Sequence, residues 1–286
     1  MTDYFYRINP GTSLMETRMS DPRSVAPMQW GTLILASVAL TTATALPAQT
    51  VDHGQHAAPV LLAQAEGGEG GERTGNSDVD LMTNLALMKG HLIVAKELIT
   101  EKQYKQAVPH IGHPVEEIYG DVEAELTQRQ LPQFKAALNQ MSDLIKSSPE
   151  SPELKTAYAD SLKAIDATIA AIPDRQRTSP AFVMQVISGL LNTAADEYQA
   201  AIVDGKFVEI VEYQDSRGFV LYAEELYKTA PQPDVAKNMA IMQALADLKT
   251  AWPTVNPPAS PVKPPEAVAQ LVKSIVTENV AIKHKH

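Results

Sequence analysis

DLMTNLALMKGHLIVAKELITE, Asp80 to Glu101, carries apolar residues at Leu81, Leu85, Met88, Leu92, Ala95 and Leu98. Steps of three and four keep those side chains on one face, because an α-helix turns once in about 3.6 residues. The stretch predicts a helix over 80–101, and the same periodicity recurs downstream. Pro114 to Arg129, Leu131 to Ser147, Pro152 to Ile172, Pro180 to Val203, Phe207 to Lys228, Pro233 to Trp252 and Glu266 to Ile282 all read as helices. Ser-Pro pairs open two of them, supplying a cap and a first residue with no amide proton to satisfy. Asp204-Gly205 stops one helix, and the prolines from Pro253 to Pro265 make an extended connector. No run alternates with hairpin turns, so strands should be nearly absent. Short connections favour antiparallel neighbours. The predicted fold is therefore all-α, an antiparallel up-and-down helical bundle, either single or as two stacked bundles.

The composition narrows the function classes. Hydrophobic residues make up 44% of the 286, enough for a folded core. The net charge of −10 is carried without a basic cluster, so phosphate backbones are repelled and nucleic acid is not an expected partner. The chain has no cysteine. Disulfides, thiolate metal sites, iron–sulfur clusters and a cysteine nucleophile are excluded. A metal site must use nitrogen and oxygen ligands, which suit iron, zinc, manganese or copper(II).

The N-terminal part reads as an address. WGTLILASVALTTATALPA, Trp30 to Ala48, is an uncharged apolar run ending in small residues, the pattern of a secretory signal. Residues 1–48 are read as leader and signal peptide, with an uncleaved membrane anchor as the alternative and Met15, Met19 or Met28 as other possible starts. Residues 49–78 contain EGGEGGERTGN and read as a flexible linker carrying His53 and His56. Residues 79–286 form the helical domain, expected in the periplasm.

Chemistry concentrates in MKGHLIVAKELITEKQYKQAVPHIGHPVEEIYGDVEAEL, Met88 to Leu126, which holds His91, His110, His113, Glu116 and Glu117. Pro114 disfavours helical geometry at His113, so His113 is expected at an N-cap with Glu116 as the third helical residue. Glu117 beside it complements the helix dipole. That explains both glutamates without a ligand. The same geometry also makes a half-site for a cation, because residues three or four apart share one helix face. His91 lies on the apolar side of the first helix and points inward, where an imidazole needs a partner. His110 lies one short loop earlier. In the second half Asp196, Glu197, Glu209, Glu212 and Asp215 read mostly as a solvated face, one or two of which could complete a metal site if the halves pack together. Tyr198, Tyr213 and Tyr222 read as packing residues, and the His284-Lys285-His286 tail as a weak binder at most. No glycine-rich phosphate loop, nucleophile elbow or second zincin histidine is present.

HPVEEIYG, His113 to Gly120, resembles the His-x-x-Glu signature of imelysin-like proteins, the helical domain of Efe-type iron-uptake components. EYQAAIVDGKFVEIVEYQDSRGF, Glu197 to Phe219, is similar to the extracytoplasmic helical segment of Ftr-type iron permeases. Together the two segments cover about a sixth of the chain, and Gly112 directly abuts His113 where that family spaces the two. The resemblance implies an exported helical protein that binds a metal ion, iron first and zinc or copper next, without catalysis. His113 and Glu116 would be first ligands, Glu117 and His91 accessory, and His110 a fifth. The implied partners are the ion and a membrane metal transporter or another periplasmic protein. The rival expectation is an exported interaction module with no metal.

Overall fold

The structure, a computed structural model, describes residues 70, 71 and 73–280. The leader, the apolar run, His53, His56 and the terminal histidines lie outside those residues. The remainder is an all-α antiparallel bundle with helices α1 (Ser77–Thr100), α2 (Tyr104–His113), α3 (Tyr119–Gln128), α4 (Lys135–Ser147), α5 (Pro152–Ala170), α6 (Asp174–Arg177), α7 (Pro180–Ala200), α8 (Ile210–Thr229), α9 (Val235–Lys249) and α10 (Pro265–Val280). Capping decides several starts. Asn76 accepts from the amides of Asp78 and Val79, Ser151 from Leu154, Ser179 from Phe182 and Asp234 from Lys237.

The helices form two four-membered rings. α1, α2, α4 and α5 pack in a closed circuit, as do α7, α8, α9 and α10. The rings share a seam, where α1 lies against α7 and α8. This explains why α1 departs from a one-sided pattern. Its expected stripe is buried, but so are Val79, Met82, Ala86, Leu87 and Val94 on its other faces. A helix apolar on every side belongs at the centre of the packing.

The seam is unusually close at one point. A Cβ placed on Gly218 would meet the Gly90 carbonyl oxygen at 2.3 Å, and one on Gly90 would meet Phe219 at 2.6 Å. Backbone therefore touches backbone where α1 crosses α8, as only glycine permits.

Three expectations are corrected. Residues 104–113, outside every predicted helix and placing His110 one short loop before His113, are helix α2. His113 is not an N-cap: its φ of −51° and ψ of −43° are helical, and it makes no side-chain cap. The chain instead runs through Pro114 by a π-helical turn, Pro114–Ile118, and continues as α3. Pro114 lacks an amide proton and its ring would strike the His110 carbonyl in an α-helical register, so the turn widens rather than breaks. The helix expected to reach Val203 ends at Ala200, and Asp204-Gly205 is instead the turn of a short hairpin pairing Ile202 with Phe207 and Val203 with Lys206. Both turn residues have positive φ, 51° and 69°.

The proline-rich connector is fastened by hydroxyls. Tyr213 donates to the Thr254 carbonyl at 2.8 Å and Tyr198 to the Lys263 carbonyl at 2.9 Å. The Trp252 indole donates to Ser216 at 2.8 Å. These tyrosines are packing residues, as their positions predict.

Candidate metal centre

The close crossing at Gly90 and Gly218 brings the next residue of α1, His91, against Asp215 of α8. The carboxylate and the imidazoles of His91 and His110 are fully buried. Asp215 Oδ1 lies 2.6 Å from His91 Nδ1 and 2.6 Å from His110 Nδ1, and Oδ2 lies 3.2 Å from His113 Nδ1. Three Nδ1 atoms from two helices thus converge on one carboxylate from a third. The His91 ring sits edge-on to Phe219 at 4.9 Å and to His113 at 5.6 Å. Each helix supplies its part for a local reason: Gly90 lets α1 approach, and three residues of spacing in α2 align His110 with His113.

The electrostatics are those of a neutralised buried charge. Burial alone would raise the Asp215 carboxyl. The adjacent His91 and His110 charges, with hydrogen bonds from His110 and His113, hold it well below the usual carboxylate range. The site is closed on the α1 side and open at one edge. His113 keeps 16% of its side-chain surface in solvent, and its Nε2 lies 3.9 Å from Glu117 Oε1, whose side chain is 32% exposed.

Of the residues expected to gather, His91, His110 and His113 do so, and Glu117 stands at the margin. Glu116 does not. It is exposed, with its carboxylate over Gly112, where an added Cβ would come within 3.3 Å of Glu116 Oε1. The wide turn after Pro114 sends it away from the histidines. Asp215, one of five acidic residues read mostly as a solvated face with one or two able to complete a site, is the carboxylate at the centre. Its signal in the sequence is positional, since Val211, Asp215, Gly218, Phe219 and Tyr222 follow helical steps and Asp215 alone is charged. Asp196 and Glu209 are exposed, in line with a solvated face.

His91, His110 and Asp215 can each point a ligand atom at one position, these atoms lying within 4.8 Å of one another. Two imidazoles and a carboxylate suit iron(II), zinc, manganese or copper(II). His113 adds a fourth donor of the same kind. The arrangement can hold a cation or, without one, bridge the seam by charged hydrogen bonds.

Fold and site together define an all-α bundle protein with a buried histidine–carboxylate cluster between two helical rings. Residues 173–284 match the family model of the iron permease-associated 4-helix bundle domain. This second ring, α7 to α10, is thus a segment related to Ftr-type iron permeases, and it contributes Asp215 but none of the clustered histidines. No curated protein and no solved structure was found to match the chain.

Proposed function

We propose that this protein is an exported metal-binding protein whose cargo, best read as iron, is held by His91, His110, His113 and Asp215 for capture or delivery to a membrane transporter. The observation that carries the reading is the convergence of three imidazole nitrogens on one fully buried carboxylate. Burying an anion costs several kcal/mol unless partners neutralise it, so such a cluster adds little net stability and fits a functional site better than a purely structural one. The relation of the second ring to an iron permease-associated bundle favours iron among the metals that fit, and the apolar run before the domain favours export. The net charge of −10 attracts cations.

The present N–O separations of 2.6 Å are hydrogen-bond lengths. Two ligands on one tetrahedral ion stand roughly 3.3 Å apart. Ion binding therefore exchanges the bridging protons for the metal and spreads the ligands slightly, so uptake releases protons. Holding and release suffice for the role, and no covalent step is assigned to the chain. The likeness to imelysin-like proteins belongs to this reading with one difference: His113 joins the cluster and Glu116 stays outside.

The test is titration of the full chain with iron(II) under anaerobic conditions, and with zinc(II), by calorimetry and elemental analysis. One equivalent per chain, lost in Asp215→Ala and His91→Ala, is expected. Undiminished binding in those variants would assign the ion elsewhere. Absence of binding by the wild type would leave a structural network and favour the interaction-module reading.

A further inference from the structure

A chain of side-chain amides leads from the protein surface to the back of His110, and its polarity is fixed at one end. Glu101 Oε2 accepts from Gln103 Nε2 at 2.6 Å, and Gln103 Oε1 accepts from Gln106 Nε2 at 2.6 Å. Gln106 Oε1 accepts from Gln214 Nε2 at 3.0 Å. Gln214 Oε1 then faces His110 Nε2 at 2.8 Å. A carboxylate can only accept, whereas an amide donates at one end and accepts at the other. Anchoring the first amide nitrogen on Glu101 therefore orients every amide the same way, nitrogen toward Glu101 and oxygen toward His110. Reversing the chain would set the Gln103 carbonyl against the Glu101 carboxylate, acceptor against acceptor. The last link is buried, Gln214 being 1% exposed, so water cannot substitute there.

We infer that the relay Glu101–Gln103–Gln106–Gln214 is a tautomer-setting device that keeps a proton on Nε2 of His110, so that the proton a cation displaces is the one Nδ1 shares with Asp215. This rests on the reading of the cluster as a metal site, and makes Gln214 a positioning residue that acts through His110. An imidazole can coordinate only through an unprotonated nitrogen, and the bond made by its other nitrogen decides which one that is. His110 Nδ1 is the nitrogen facing Asp215 and His91. The relay thus makes Nδ1 the nitrogen that is freed when the ion takes the place of its proton. Its outer links, from Glu101 to Gln106, lie exposed on the surface, while Gln106 and Gln214 border a cavity of about 480 Å³ with Lys105, Ile210 and Asn256. Solvent weakens those outer bonds, so Gln214 should matter most and Glu101 least.

The experiment uses the full chain labelled with nitrogen-15 at histidine, observed by NMR without metal and then titrated with zinc(II) as a diamagnetic probe. In the wild type, His110 should show a protonated, slowly exchanging Nε2. Gln214→Met should leave the His110 proton on Nδ1, against Asp215, and weaken zinc binding about 10- to 100-fold, with helicity unchanged. Gln214→Glu, which can only accept, should restore the Nε2 proton. Glu101→Gln, a surface change that leaves the core untouched, should produce a smaller shift in the same direction and serves if Gln214→Met fails to fold. An unchanged His110 tautomer in Gln214→Met, or in Glu101→Gln where that variant stands in for it, would overturn the relay. The two readings fail separately. A wild type that binds no zinc but shows the tautomer shift removes the metal reading alone. A wild type that binds zinc while Gln214→Met binds it equally removes the relay alone.

Discussion

Gly218 lies so close to Gly90 that a single methyl group on either would strike the other helix. This contact sets the depth at which α1 meets α8, and so the reach from His91 to Asp215. Gly218→Ala should force the helices apart, costing about 1–3 kcal/mol in urea denaturation and weakening zinc or iron binding as His91 withdraws. Gly120→Ala is the control, because nothing lies within 4 Å of an added Cβ there. It should stabilise α3 by up to about 1 kcal/mol. Equal effects of the two changes would mean that the crossing is not tight.

Among the described residues, Asp215 is the carboxylate that comes closest to the clustered histidines. Asp215→Ala should destabilise the metal-free protein by on the order of 3 kcal/mol, since it leaves buried imidazoles without their acceptor. Denaturation in the presence of a chelator reads this without interference from bound ion. A loss below about 0.5 kcal/mol would show that solvent reaches the cluster freely.

His113 and Glu116 should separate cleanly. Glu116 is exposed and turned away, while His113 Nδ1 lies 3.2 Å from Asp215 Oδ2. Glu116→Ala should leave ion affinity within about twofold, a difference of less than about 0.5 kcal/mol. His113→Ala should lower affinity at least tenfold, about 1.4 kcal/mol. Calorimetric titration of the two variants side by side decides it.

A bound ion should also stabilise the fold across the seam, because its ligands come from α1, α2 and α8. At a free ion concentration one hundred times Kd the gain is about 2.7 kcal/mol, which raises Tm by roughly 5–10 °C for a domain of this size. Chelator should reverse the rise. A Tm insensitive to both ion and chelator would count against binding at the seam.

Alkaline pH should act through the buried Tyr198 and the half-buried Tyr158. Burial pushes Tyr158 and Tyr198 up from 10.0 to about 12. The folded value is above the unfolded one, so the stabilisation is complete below pH 10 and is lost as pH rises toward 12. Ultraviolet titration of tyrosinate should show a delayed group, and unfolding should coincide with its ionisation. Titration of every tyrosine near the ordinary value would show those hydroxyls to be accessible.

The sequence by itself determined the all-α class, because helical periodicity and caps are local. Ser151, Ser179 and Asp234 start helices through bonds to amides three residues on, whatever lies elsewhere in the fold. The gathering of His91, His110 and His113 was visible for the same reason, since the residues are near in sequence. Two features were not local. The route through Pro114 looked like a helix start because a proline in an α-helix loses a bond and clashes; with the turn packed against α1 and α4, the chain stays helical there by widening. Asp215 lies 105 residues from its partner His110 and, by composition, belonged to an acidic surface. Its burial follows from the approach of α1 to α8 at two glycines, a distance set by tertiary contact. Periodicity could say which face Asp215 occupied, but only the packed structure decided that the face was inside and that three imidazoles would meet it there.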